Sequence, residues 1–375
     1  MAAGAFLLAA ASFPPMPALA DSIRDRQWYL RSLDIAQAHA ITEGSGVVVA
    51  VVDTGTYPHP DLRRNLIAGV DETANESGNG QKDAAGHGTG MASLIAAHGK
   101  SSSGGILGIA PAAKIMPVRV TTTGNNIVPA AMARGIGWAT SRRARVINVS
   151  AGAGPADDLE QAVSTAIAAD IVVVAAAGNT SSGAIIDYPA ALDGVLAVGA
   201  TGRDGEHASV SVKSAKIQLC APGVDITTAR PGGGYSTANG TSDATAIVSG
   251  AVALVRAKFP QLSGPEVIHR LTATADDIGP PGRDDECGYG ELDVVKALTA
   301  DVPPLSVATP TAAATPSAAG SGPDGYLDPG ATIATKPAAQ PASNSTPLVL
   351  GTLAGLAAAA GVVGFLLVRR RGRRG

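Results

Sequence analysis

Three short stretches of this chain pair a reactive side chain with small neighbours that let a backbone come close. Val51-Val52-Asp53-Thr54-Gly55 puts an acid at the end of a β-branched run, just before a turn. Gly86-His87-Gly88-Thr89 puts a histidine between two glycines at the start of a helix-like stretch. Gly240-Thr241-Ser242 puts a hydroxyl where a long apolar helix should begin. A serine hydroxyl is a poor nucleophile until a base takes its proton, and an imidazole is a reliable base only when an acid fixes its tautomer. Asp53, His87 and Ser242 supply those three parts. Each alone has an ordinary reading as a turn former, a packed histidine or a helix cap; it is their conjunction that points to acyl transfer.

The elements between them say how such a trio would be held. Val47–Val52, Lys114–Val118, Val146–Val149, Ile171–Ala175 and Val195–Val198 are continuous apolar runs, as expected of strands buried on both faces. Helical stretches alternate with them at Gly88–His98, Ile127–Ser141 and Leu159–Ala169. Strand–helix repeats of this kind predict an α/β fold: a doubly wound, mainly parallel sheet with helices on both faces, its working residues gathered where strands end. Ser242–Lys258 then reads as an apolar helix, and Ser263-Gly264-Pro265-Glu266 as the capping box of another.

At this point four blocks resemble the signatures of the subtilisin-like serine proteases, or subtilases. They are Val49–Leu62 around Asp53, Gly86–Ala92 around His87, Val172–Asn179, and Gly240–Gly250 around Ser242. The resemblance covers about residues 30–300 and implies a serine endopeptidase acting on protein or peptide substrates. It casts Ser242 as nucleophile, His87 as base and then acid, and Asp53 as the group that orients His87. Asn179 becomes an oxyanion donor, joined by the Ser242 backbone N–H. Asn148-Val149-Ser150-Ala151-Gly152 matches the strand edge that pairs with extended substrate, which makes Ser150, Ala151 and Gly152 substrate-binding. Two departures stand out: Ala246 where subtilases usually have proline, and Asp243 directly after the nucleophile. At the helix start Asp243 is expected to stabilise the dipole and to disfavour acidic substrates.

Composition narrows the rest. Aromatic residues are 3% of the chain and charged ones 16%. Outside a terminal cluster of five arginines (Arg369–Arg374), 23 basic residues face 31 acidic ones. A body of that sign, poor in stacking aromatics, is no nucleic-acid binder. No two histidines stand at zinc-ligand helical spacing, no run of spaced acids makes a calcium loop, and no cofactor is called for. His59, in a Pro-His-Pro turn, reads as structural.

The chain divides into five segments. Residues 1–20, ending Ala18-Leu19-Ala20, read as a signal peptide, although no basic residue precedes the apolar run, which leaves an upstream start open. The peptidase domain is 21–300 with a short N-terminal extension. Residues 301–346 are a Pro/Ala/Ser/Thr-rich linker. Within 347–368, the 21 uncharged residues Leu348–Val368 would span about 31 Å as a transmembrane helix. Residues 369–375 form a basic tail, expected on the cytoplasmic side. In an exported body, Cys220 and Cys287 are expected to form a disulfide rather than a metal site. Signal, short front, linker and anchor together resemble the mycosins, membrane-anchored subtilases associated with type VII secretion. The resemblance implies the type VII secretion complex as partner. Intact catalytic residues also suit a second role, as a structural subunit of such a complex with proteolysis dispensable.

Overall fold

The structure is a computed structural model that describes residues 22–305 apart from 74–76, 101–103, 125–126 and 184. The segments expected as signal peptide, transmembrane helix and basic tail, and most of the expected linker, lie outside the described residues. Among those described, no helix is long and apolar enough to cross a membrane.

Seven strands form one sheet: β1 (Val48–Asp53), β2 (Val70–Asp71), β3 (Lys114–Arg119), β4 (Val146–Val149), β5 (Val172–Ala176), β6 (Leu196–Thr201) and β7 (Leu219–Pro222). Their order is β2-β3-β1-β4-β5-β6-β7, and every pairing is parallel. Parallel strands need covering on both faces, and the sequence of β1 shows how that is done. Val49 and Val51 point into one core and Ala50 and Val52 into the other. The first core holds α4 (His87–Ala96) and α7 (Thr241–Lys258); the second holds α5 (Pro129–Ser141) and α6 (Asp157–Ala168). Three short N-terminal helices, α1 (Ser22–Arg26), α2 (Tyr29–Ser32) and α3 (Ile35–Ile41), precede β1; α8 (Gly264–Ala273) and α9 (Val294–Thr299) follow α7. A hairpin of β8 (Ile226–Arg230) and β9 (Gly234–Ala238) leads to the start of α7.

The five strands expected from β-branched runs all form, and each starts within one residue of its expected position. The capping box before α8 is present in both directions between Ser263 and Glu266. Not anticipated were β7, whose short run ends in proline, and the hairpin, whose threonines and small residues carry little apolar signal. Cys220 on β7 is bonded to Cys287, as expected, with Cα atoms 5.0 Å apart.

The N-terminal extension is part of the domain. Gln27 donates from Nε2 to the Leu107 carbonyl at 2.8 Å, and its Oε1 accepts from the Leu107 N–H at 2.9 Å. The Trp28 indole donates to the Val224 carbonyl, and Tyr29 is fully buried in the core.

Candidate active site

The chain leaves β1 toward β2 and β3 and returns on the other side as β4, so strand order reverses around β1. Clefts form outside the carboxyl ends of strands at such a reversal. Asp53 is the last residue of β1 and is fully buried. His87 is the first residue of α4, and its Nδ1 lies 2.8 and 2.9 Å from the two Asp53 carboxylate oxygens. Gly88 permits that approach, because a Cβ there would stand 2.1 Å from the Gly55 carbonyl oxygen. Gly86 takes a left-handed φ of 85° to turn the chain into the helix.

A second acid holds this corner together. Asp83 accepts from Thr54 Oγ1 (2.8 Å), from the backbone N–H groups of Gly86 and Thr89 (2.7 and 2.9 Å), and from Thr89 Oγ1 (2.6 Å). Thr54 Oγ1 also accepts from the Gly88 N–H. The end of β1 and the start of α4 are thereby tied through one carboxylate. Burial works against the protonated His87 ring. The Asp53 charge and hydrogen bond outweigh it, Asp243 and Asp83 add to them, and the pKa rises to about 9.

Ser242 sits in the first turn of α7. Asn179 is turned by that helix start: its Oδ1 accepts from the Thr241 N–H at 3.0 Å and from Thr241 Oγ1 at 3.2 Å. The opposite side of the same amide, Nδ2, therefore faces out. A Cβ on Gly240 would meet Ser242 Oγ at 3.1 Å and Asn179 Nδ2 at 3.3 Å, so hydroxyl and amide donor flank the open side of Gly240. Ser150 is buried and donates to the Ser242 carbonyl at 2.9 Å, which places its side chain in support of the helix rather than toward a ligand. Asn148 joins this support by accepting from Ser249 Oγ at 2.9 Å.

His87, Asn179, Ser242, Ser150, Ala151 and Gly152 all line one cleft of about 360 Å³, and Asp53 stands directly behind His87. No described residue of the N-terminal extension lines it. Every catalytic, oxyanion and substrate-binding residue expected from the sequence is thus at or against one cavity. Among the described residues, no group of three or more His, Cys, Asp or Glu side chains could hold a metal ion.

Asp243 stands in the first turn of α7 and in the lining of the cleft, as its position after Ser242 implies, but it is buried. It is 2% exposed, and its Oδ1 has no hydrogen-bond partner among the described residues. Burial pushes its pKa up to about 7, against the pull of the His87 charge. Besides the helix-dipole role expected of it, this carboxylate acts on the imidazole, whose protonated form it favours.

The model of the Subtilase family matches residues 44–290, two thirds of the chain and all four blocks that flank the cleft. The chain belongs to the subtilase family. It is 40% identical over 237 residues to subtilisin Savinase of Lederbergia lenta, covering 63% of this chain and 86% of that protein. It is 37% identical to the thermostable alkaline protease of Halalkalibacterium halodurans, covering 68% and 69%. Among solved structures, MycP1 with its N-terminal propeptide removed superimposes with a TM-score of 0.67 at 31% identity, over 74% of this subtilase and 98% of that chain. The MycP3 protease from the type VII (ESX-3) secretion system gives 0.65 at 31%, over 77% and 90%. Family and relatives make the protein a subtilisin-like serine endopeptidase.

Sequence reasoning missed Asp83, which sits in Lys82-Asp83-Ala84-Ala85-Gly86; an acid three residues before a glycine-led helix start was the available signal. It also missed Asp187, which lines the cleft from a loop with no motif around it.

Proposed function

We propose that this subtilase hydrolyses peptide bonds through Asp53, His87 and Ser242, and that it works outside the cell membrane in association with type VII secretion. The observation that carries the chemistry is the bidentate hold of Asp53 on His87 Nδ1 at the mouth of a cleft that also contains Ser242. That hold leaves Nε2 to take the Ser242 proton and later to deliver it to the leaving amine. The hydroxyl and the ring face the cleft without a hydrogen bond between them, a gap of the kind that closes as substrate docks. The Asn179 amide and the Ser242 N–H at the start of α7 would stabilise the oxyanion of the tetrahedral intermediate. Extended substrate would run along residues 150–152, adding main-chain hydrogen bonds.

A serine-directed fluorophosphonate should label the full-length protein at Ser242 and fail to label Ser242→Ala. Label retained in that variant would remove Ser242 from the mechanism.

The secretion role rests on the likeness to mycosin structures and on the two ends of the sequence. Residues 1–20 would direct export and Leu348–Val368 would stop it. Five arginines resist crossing at about 2.5–3.5 kcal/mol each on insertion scales, which leaves residues 369–375 inside. Protease added to wall-stripped cells should remove the body and leave a short protected C-terminal stub; a fully protected body would refute this topology. Complementation with Ser242→Ala separates proteolysis from a structural role, because restored secretion without processing would favour the latter.

A further inference from the structure

The cleft contains a carboxylate that the peptidase chemistry does not use. Asp187 lies between two segments that flank the reaction centre, and its backbone is fixed to both sides of that gap. Its N–H donates to the Ala177 carbonyl at 3.0 Å, and the next residue, Tyr188, exchanges hydrogen bonds with Ala153. The side chain lies across the faces of two glycines. A Cβ on Gly152 would stand 2.5 Å from Asp187 Cγ and Oδ2, and one on Gly178 would stand 2.9 Å from Oδ2. Any larger residue at either position would occupy the carboxylate's place.

The surroundings of Asp187 are what make it informative. No described residue donates a hydrogen bond to its carboxylate or forms an ion pair with it, although an uncompensated carboxylate in a partly desolvated slot is costly. Burial alone raises its pKa. The other charged residues lining the cleft are His87, Asp243 and Arg230. Arg230, the one arginine or lysine in the lining among the described residues, stands against Gly86 on the His87 side, with its Nε 3.0 Å from where a Gly86 Cβ would be. Asp243 is buried beneath the nucleophile. The cation that would complete Asp187 must come with the substrate.

The geometry points to Asp187 as a specificity-determining residue that selects a lysine or arginine side chain immediately before the cleaved bond. The inference rests on the peptidase reading and deepens it. A carbonyl held against Ser242 and Asn179 belongs to a residue whose side chain leaves the backbone beside residues 150–152 and Gly178. The Asp187 carboxylate lies in the same cleft, across the faces of Gly152 and Gly178, where that side chain would reach it. An ammonium or guanidinium there makes a charge-assisted hydrogen bond, which no neutral side chain can match.

The test uses two peptidyl diphenyl phosphonates that label the active serine and differ only at that position, one with arginine and one with its neutral isostere citrulline. Labelling rates are measured on the full-length protein and on Asp187→Asn. The wild type should react at least about tenfold faster with the arginine probe, and that preference should vanish in Asp187→Asn. Equal rates in the wild type, or a faster citrulline probe, would overturn the assignment even if the variant failed to fold. A preference that survives intact in Asp187→Asn would overturn it as well. If neither probe nor a simple fluorophosphonate labels Ser242, the peptidase reading itself fails and takes this inference with it; fluorophosphonate labelling without an arginine preference sinks only the inference.

Discussion

On the His87 side of the cleft, the carboxylates of Asp53 and Asp83 accept hydrogen bonds from Thr54, Gly86, His87 and Thr89. On the Ser242 side, Asp243 and Asp187 receive none from any described residue. The first pair is built for position. Each lone pair committed to a donor removes a way for α4 to move against β1, and the imidazole inherits that rigidity. The second pair contributes field rather than geometry, since a carboxylate without partners keeps its full influence on whatever charge approaches. Positioning acids stand behind the cleft lining and field acids within it, and substitutions should separate them.

The largest effect is expected among the positioning acids. Asp53→Asn should keep the fold and lower turnover by about 10⁴-fold, because the amide favours the wrong imidazole tautomer. A loss below tenfold, measured with a fluorogenic peptide and checked by circular dichroism, would mean that another acid orients His87.

Asp83→Ala comes next. It strands buried donors from Thr54, Gly86 and Thr89, and should cost about 3–5 kcal/mol of stability. Chemical denaturation showing less than about 1 kcal/mol would make Asp83 a bystander rather than the tie between β1 and α4.

Asp243→Asn should act in the opposite sense. Its folded pKa of about 7 lies above the ordinary value of 3.8. The folded state therefore keeps a proton that the unfolded state releases, and this contribution to stability is lost as pH rises from near 4 through about 7. His87, raised to about 9, adds a loss that continues through that pH. Wild-type melting temperature should fall between pH 6 and 9, and Asp243→Asn should flatten the fall while gaining about 2–4 kcal/mol near pH 8. A melting profile parallel to the wild type would remove Asp243 from this account.

The smallest effect is kinetic. Removing the Asp243 charge makes protonated His87 less favourable, so the acid limb of kcat/KM should move to lower pH by roughly half a unit. A shift to higher pH would show that Asp243 does not act through the imidazole.

How much of this could be read in the sequence follows the same division. Asp53, His87 and Ser242 were legible because each is set in small residues at an element boundary, and those glycines are the local cause of the close approach. The core strands were legible because burial on both faces leaves an unbroken apolar run. Asp83 was not, since its donors are gathered by a turn and a helix start that no apolar pattern marks. The burial of Asp243 was not legible either, because depth cannot be read from one residue's neighbours in the chain. Asp187 owes its setting to Gly152 and Gly178, which only the folded sheet brings to it.

The bond between Cys220 and Cys287 has a mechanical consequence. The chain between them contains α7, with Ser242 at its start, and α8. Tension applied at the C-terminal end of the domain, beyond Leu305, can peel back α9 and the residues after Cys287. There the peeling meets a covalent crosslink, and the load passes to β7 without drawing out α7 end-first. A protease hauled on from that end would shed its last helix before it lost the helix that carries Ser242.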